Sequence, residues 1–369
     1  MIKLKKDYAL NAVCPYFTMF PLDFPLSILK KYATKDQWVL DPFCGRGTTN
    51  YASRVLGISS IGIDASPVAV ALSEAKLANT TPKLIVRTAQ NILDEITIPK
   101  EKPTGEFWEK IYDRRVLNMI CRLREGLRKN CESDSRIALR AIILGALHGP
   151  INKTFFSYFS NQCPRTYAPK PKYAVRFWKK NKLEAPFTNV LEIIKNRAIR
   201  YYEDGLSKGN GKIIKGDSRS EKLFSRLDNC KINWVITSPP YYGMHTYIPD
   251  QWLRLWFLGG PGTVTYSDSK QLVHESQQSF GDQLRNVWCN SAKVCSRNAQ
   301  LVFRFGSINS RKSDPVAIIK NSLRDSEWRI KTIKNAGTAS LGKRQALHFF
   351  VDPKEALSEY DVWASLINN

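Results

Sequence analysis

The stretch Trp38-Val39-Leu40-Asp41-Pro42-Phe43-Cys44-Gly45-Arg46-Gly47-Thr48-Thr49 sets the architecture of this chain. An apolar run ends in an aspartate, crosses a Gly-x-Gly turn and enters a helix-like stretch, Asn50 to Leu56, that closes at Gly57. Strand, tight turn and helix in that order open a doubly wound α/β sheet. The end of its first strand borders a crevice, and the glycines let backbone approach a ligand closely. A phosphate-cradling loop needs a lysine after the second glycine, and none stands there. A dinucleotide fingerprint needs a third glycine where this chain has Asn50.

Downstream, Ile58-Ser59-Ser60-Ile61-Gly62-Ile63-Asp64 alternates and ends in an acid about 20 residues past the glycine turn, the place of a ribose ligand. Asp64 is therefore a candidate for ribose hydroxyls, and it can also cap the helix expected from Pro67 to Ala78. Upstream, Cys14-Pro15-Tyr16-Phe17-Thr18-Met19-Phe20-Pro21 precedes an amphipathic run from Pro25 to Tyr32. Phe17 and Phe20 either pack on the sheet edge or border the ligand.

The second anchor is Asn233-Trp234-Val235-Ile236-Thr237-Ser238-Pro239-Pro240-Tyr241, an apolar strand emptying into a proline-fixed loop that ends in an aromatic. Just before it, Lys212-Ile213-Ile214-Lys215-Gly216-Asp217-Ser218-Arg219 reads as a strand ending in Gly-Asp-Ser. Ala299 to Phe305, Trp328 to Ile333 and Ala346 to Val351 read as further strands, the last two suiting a terminal hairpin. Gly342-Lys343-Arg344-Gln345 between them is a phosphate contact or a solvated turn. Asp250 to Leu258 reads as a packing helix.

Taken together, DPFCGRGTT and SPPY resemble the signatures of S-adenosylmethionine-dependent DNA amino-methyltransferases. The resemblance covers roughly residues 14 to 79 and 211 to 352, with Arg46 standing where that family usually has a small residue. It implies that Asp41, Pro42, Phe43, Gly45, Gly47 and Thr48 wrap the methionine part of the cofactor, that Phe17 closes over it, and that Asp217 with Ser218 meets the adenine. It also implies that Ser238, Pro239, Pro240 and Tyr241 form the catalytic loop. An exocyclic amine is a poor nucleophile because its lone pair is delocalised into the ring. The Ser238 oxygen and the Pro239 carbonyl can each accept an amino N–H and favour a pyramidal nitrogen, and the fixed φ of proline preorganises both acceptors. Tyr241 would stack on the base, which must leave the duplex to arrive, at about a few kcal/mol of unstacking. Serine before the prolines leans towards N4 of cytosine over N6 of adenine. No dedicated general base is required, although His245 lies close by in sequence. No Pro-Cys loop follows this strand, which speaks against attack at cytosine carbon 5.

The chain has 369 residues, 43% hydrophobic and 24% charged, a folded composition with length for two lobes. Its formal charge of +23 makes nucleic acid the leading partner, since basic side chains release counterions from a polyanion, and the resemblance implies that the nucleic acid is double-stranded DNA. The expected fold is α/β: a Rossmann-like seven-stranded methyltransferase sheet, residues 1–79 and 211–369, with a mainly helical lobe, 80–210, inserted after the second strand. Phe107 to Lys129, Ser135 to His148 and Phe187 to Tyr202 have helical periodicity.

Within that lobe, Lys153, Arg165, Lys170, Lys172, Arg176, Lys179 and Lys180 interleave with aromatics and are the candidate DNA contacts. The aromatics by themselves read as lobe core. Pro164, Pro169 and Pro171 suggest an exposed loop. The eight cysteines lack metal-ligand spacing, so no metal is expected and the thiols read as reduced. With no apolar run of membrane-spanning length and no signal peptide at Met1, the reading is cytoplasmic. A cognate restriction endonuclease is a further partner the resemblance leaves open, as is the oligomeric state. Two rivals remain: an RNA amino-methyltransferase, and a catalytically silent nucleic-acid-binding protein of the same fold.

Overall fold

The computed structural model describes residues 8–16, 20–151, 157–163, 170–203, 207–227, 231–243, 248–264, 272, 275–308, 313–338 and 358–367. The chain divides into two compact units: residues 18–73, 210–246 and 269–369 form the sheet unit, and residues 1–17, 74–209 and 247–268 form the other.

The sheet unit contains β1 (Trp38–Asp41), β2 (Ser59–Asp64), β3 (Gly211–Lys215), β4 (Ile232–Thr237), β5 (Cys295–Gly306), β6 (Trp328–Thr338) and β7 (Ser358–Leu366), in the order β3-β2-β1-β4-β5-β7-β6. The first five run parallel, and β7 inserts antiparallel between β5 and β6. This is the Rossmann-like seven-stranded sheet expected from the sequence. Both faces of its central strands are covered, which is why they read as nearly continuous apolar runs. On β5 the period of two sorts side chains: Leu301, Phe303 and Phe305 enter one core, with Leu40, Val235 and Trp288, whereas Val302 enters the other, with Val39, Ile236 and Leu29.

Helix Thr48–Leu56 begins at Gly47 and stops at Gly57, both with positive φ. A helix expected from the sequence, Pro67 to Ala78, is observed as Pro67–Leu77. The strand expected at Ala346 to Val351 lies outside the described residues, as does Gly342 to Gln345, and the hairpin partner of β6 is β7, further along the chain. Its signature is the alternation of buried Val362 and Ala364 with partly exposed neighbours.

The other unit is helical, with an isolated bridge between Pro150 and Cys163. The periodicity read as one helix from Phe107 to Lys129 is two, Glu106–Ile111 and Arg114–Lys129, because Asp113 caps the second by accepting from the Arg115 amide. Pro82–Glu95 adds a helix, started by Pro82 and by Thr81, whose side chain accepts from Leu84. Asp134–Ala146, Val190–Tyr202 and Ile248–Phe257 complete the long helices.

The loop expected around Pro171 is instead helix Pro171–Lys180, since a proline in the first turn forgoes an amide that has no helical partner anyway. Trp178 is fully buried there and its indole donates to the Gln162 carbonyl at 2.8 Å, while Phe107, Trp108, Trp252 and Trp256 pack ring on ring. Of the aromatics between Lys153 and Lys182, Phe159 and Trp178 are core, Tyr158 and Phe177 are half-buried, Tyr173 is exposed, and Phe155, Phe156 and Tyr167 lie outside the described residues. Among the described residues no helix is long and apolar enough to cross a membrane.

Candidate active site

The candidate residues gather where the strand order reverses, between β1 and β4. Asp41 ends β1 with its side chain fully buried. Its Oδ1 accepts from the Thr237 hydroxyl at 2.5 Å and from the Phe43 amide at 3.1 Å, and its Oδ2 has no hydrogen-bond partner. Burial, chiefly, and the nearby Asp64 push its pKa up to about 6, against the lowering effect of its hydrogen bonds.

The glycine turn is fastened on every side. Gly45 and Gly47 have φ of 51° and 75°, the left-handed region. A Cβ at Gly47 would stand 2.8 Å from the Ser73 hydroxyl and 2.9 Å from the Ser73 backbone, so the helix carrying Ser73 demands glycine there. Ser73 also donates to the Gly45 carbonyl at 2.8 Å. The Gly45 amide donates to Asp64 Oδ2 at 2.9 Å and the Ser66 amide to Asp64 Oδ1 at 2.8 Å, so Asp64 ties the turn to the end of β2 and starts the next helix. Burial pushes this carboxyl up to about 6 as well.

Asn50 is buried and donates to the Ser60 hydroxyl at 3.1 Å. A Cβ at Gly62 would lie 2.8 Å from its Oδ1, so the third glycine of a dinucleotide fold is replaced by an asparagine lodged against β2. Thr48 is buried and Thr49 donates to the Ile236 carbonyl of β4 at 3.3 Å.

Asp217 and Ser218 follow β3. The Asp217 carboxylate accepts from the Arg219 guanidinium at 2.6 and 3.0 Å and from the Arg219 amide at 2.9 Å, contacts that outweigh burial and lower its pKa. Ser218 is buried and donates to the Pro42 carbonyl at 2.5 Å, bracing the turn from the β3 side. Phe43 packs edge-on against Trp288, with centroids 6.2 Å apart.

The Ser238-Pro239-Pro240-Tyr241 loop leaves β4 one residue after Thr237, with Ser238 half-buried and Pro239 buried. The turn after β1 and the loop after β4 are therefore joined by Asp41 and Thr237. The Tyr241 hydroxyl donates to Glu359 Oε1 of β7 at 2.7 Å, and its ring meets Phe305 edge-on at 5.4 Å. Glu359 escaped the sequence reading. The period-two pattern of Ser358–Leu366 signals a strand, but nothing local says that it runs beside the Ser238–Tyr241 loop.

Phe17, Lys153, Arg165 and His245 lie outside the described residues. Lys170, Lys172, Arg176, Lys179 and Lys180 are exposed in the helical unit, and Lys179 pairs with Glu106 at 2.6 Å. Among the described residues no group of three or more His, Cys, Asp or Glu is arranged to hold a metal.

A sequence model of the DNA methylase family that acts at N6 or N4 matches residues 3–75, a segment that includes the glycine turn and Asp64. The chain is 29% identical over 97 residues to the Type II methyltransferase M.MthZI of Methanothermobacter thermautotrophicus, a match spanning 26% of this chain and 27% of that relative. Among solved structures, the rRNA methyltransferase aviRa from Streptomyces viridochromogenes is 14% identical, with 97% of this chain and 93% of that one covered and a TM-score of 0.38. Magnesium protoporphyrin IX methyltransferase from Synechocystis PCC 6803, solved with bound SAM, is 10% identical, with 99% and 96% covered and a TM-score of 0.36. The fold itself is established by strand order and direction.

Proposed function

We propose that this protein transfers a methyl group from S-adenosylmethionine to the exocyclic amine of a flipped base in double-stranded DNA, at N4 of cytosine. The observation that carries this reading is the 2.5 Å contact between Asp41 and Thr237, which fastens a glycine turn suited to the cofactor beside a Ser-Pro-Pro-Tyr loop suited to an amine. The match of residues 3–75 to the DNA methylase family supports DNA as the substrate and an amine as its target.

The residues present suit the cofactor. Asp41 offers an unpartnered, buried carboxylate oxygen beside a turn whose glycines permit close approach, and Asp64 adds a second carboxylate at the neighbouring strand end. Two buried acids whose pKa values are raised gain from a cationic ligand, because it compensates the charge that burial penalises. Asp41, Pro42, Phe43, Gly45, Gly47 and Thr48 would hold the methionine part, Asp64 the ribose, and Asp217 with Ser218 the adenine end. When bound, S-adenosylmethionine supplies an activated methyl group.

The chain's own residues prepare the nucleophile. Ser238 Oγ and the Pro239 carbonyl accept the amino hydrogens and draw the nitrogen towards a pyramidal geometry, while Tyr241 packs against the base. Serine before the proline pair favours cytosine N4. In the helical unit, Lys172, Arg176 and Lys179 recur at helical spacing on one face of Pro171–Lys180, opposite buried Ala174 and Trp178, and would neutralise phosphates.

Nucleoside mass spectrometry after incubation with S-adenosylmethionine and mixed-sequence DNA tests the proposal, with structured RNA in parallel. N4-methylcytosine in DNA is the expected product. N6-methyladenine would reverse the base, and methylation confined to RNA would overturn the substrate.

A further inference from the structure

The pairings of β4 with β1 and with β5 each slip once, and both slips fall at Asn233. On one side Trp38 pairs with Ile232 and Val39 with Trp234, which leaves Asn233 extra. On the other, Ser296, Arg297, Asn298 and Ala299 stand opposite Asn233 alone. Extra residues bend a strand and re-aim its side chains, so two bulges back to back are a built feature of the sheet. Beside them is a cavity of about 300 Å³, lined by Gln37, Asn233, Trp234, Ser296, Arg297 and Asn298. It lies at the starts of β1, β4 and β5, the opposite end of these strands from Asp41 and Thr237.

The hydrogen bonds decide which way the lining faces. Indole and backbone N–H groups only donate, so Gln37 must turn its oxygen to the Trp234 indole, at 2.7 Å, and to the Thr34 amide, at 3.2 Å. Asn233 likewise turns its oxygen to the Trp38 amide at 3.0 Å. Its Nδ2 donates to the Ser296 hydroxyl at 3.2 Å, and that hydroxyl donates to the Ile232 carbonyl at 3.2 Å. Both amide oxygens are thereby spent within the protein, and donors remain. Among the described residues, neither Gln37 Nε2 nor the exposed Arg297 guanidinium has a hydrogen-bond or ion-pair partner. Lys35 and Lys231, both exposed, stand just before β1 and β4, and no acidic residue lines the cavity.

We propose that this cavity is a binding site for a small phosphate ester, separate from the crevice at the carboxyl ends of the strands. Unspent donors call for an acceptor, and an unpaired guanidinium calls for an anion. Donors brought from the starts of three strands suit oxygens that point several ways, as on phosphate, better than the two coplanar oxygens of a carboxylate. The volume is at the lower end of the range for small-molecule pockets and admits the ester's carbon skeleton as well as its phosphate. The site stands whether or not the chain methylates DNA.

Calorimetric titration of the full chain tests this, with ribose 5-phosphate and acetate as probes and circular dichroism to confirm folding. Ribose 5-phosphate should bind at a single site, and acetate at least about tenfold more weakly, because it meets fewer of the donors. Gln37→Glu keeps the oxygen that Trp234 requires and replaces the free donor with an acceptor, so the fold should survive and the affinity for ribose 5-phosphate should fall at least about tenfold. Arg297→Ala should lose as much. Arg87→Ala, which removes an exposed arginine of the helical unit, should lose nothing. Absence of binding, or an unimpaired Gln37→Glu, would overturn the site. Equal losses in Arg297→Ala and Arg87→Ala would mean that net charge alone collects the anion. A DNA duplex that displaces ribose 5-phosphate would overturn its assignment to a small ligand.

A second readout is local. The side-chain amide resonance of Gln37, assigned by its absence in Gln37→Glu, should move as ribose 5-phosphate is added and stay in place with acetate. A resonance that ribose 5-phosphate leaves unmoved removes the cavity from any binding seen by calorimetry.

Discussion

Thr237 donates its hydroxyl proton to Asp41 across 2.5 Å, and this contact joins the last residue of β4 to the last residue of β1. Both side chains are fully buried, and the second carboxylate oxygen of Asp41 has no hydrogen-bond partner. Replacing Thr237 with valine keeps the shape and removes the donor. The expected cost is about 1–3 kcal/mol in unfolding free energy, the penalty for an acceptor deprived of its partner in the interior. Weaker S-adenosylmethionine binding should accompany it in calorimetry, because the turn and the loop lose their common anchor. Unchanged affinity would mean that the contact serves stability alone.

The carboxyl of Asp41 makes stability depend on pH with a definite sign. Its folded pKa is raised from 3.8 to about 6, chiefly by burial, so the folded state holds this proton more tightly than the unfolded chain. The stabilisation is fully present below 3.8 and is lost as pH rises through about 6. Asp41→Asn does not titrate. The wild type should therefore lose stability relative to this variant between pH 4 and 7, by on the order of 3 kcal/mol. S-adenosylmethionine should act oppositely, binding the wild type more weakly below about pH 6, where Asp41 and Asp64 take up protons. Denaturant melts at several pH values, with and without the cofactor, measure both slopes.

Two glycines in the same segment should respond unequally to alanine. Gly47 has φ of 75° and its missing Cβ would collide with the Ser73 backbone at 2.9 Å. Gly57 has φ of 70° and nothing within 4 Å. Gly57→Ala should cost about 1 kcal/mol, the left-handed strain by itself. Gly47→Ala should cost about 2–4 kcal/mol, since overpacking against fixed backbone adds to the strain. Thermal unfolding of the pair separates the two terms, and equal costs would contradict the packing argument.

The glycine turn, Asp64 and the proline loop were legible in the sequence because each is written in a short run of neighbouring residues. The β5 and β6 strands were legible from alternation. Position was harder to read than pattern. Glu359 lies 118 residues from Tyr241, and their contact exists because β7 inserts beside β5, a long-range pairing that no local signal carries. Ser73 is similar: it looks like an ordinary helical serine, yet it packs on Gly47 and binds Gly45. The segment at Pro171 misled for a different reason, since proline marks a loop or the first turn of a helix equally well. Trp178 and Ala174, spaced one turn apart and both buried, decide in favour of the helix.

That helix offers a measurable electrostatic prediction. Lys172 and Arg176 are exposed one turn apart, whereas Lys179 is already paired with Glu106 at 2.6 Å. If Lys172 and Arg176 each neutralise a phosphate, replacing both with alanine removes two counterion-release terms, and the slope of log affinity against log salt should become shallower by about 1.8. Lys179→Ala should change the slope less, because its charge is partly spent within the protein. Both variants should weaken binding to all DNA sequences alike, since phosphate contacts carry no base information. Titration of a labelled duplex at several salt concentrations gives the slopes. An unaltered slope in the Lys172→Ala/Arg176→Ala variant would move the DNA contact away from this helix, and a loss confined to one sequence would make it a base-reading element instead.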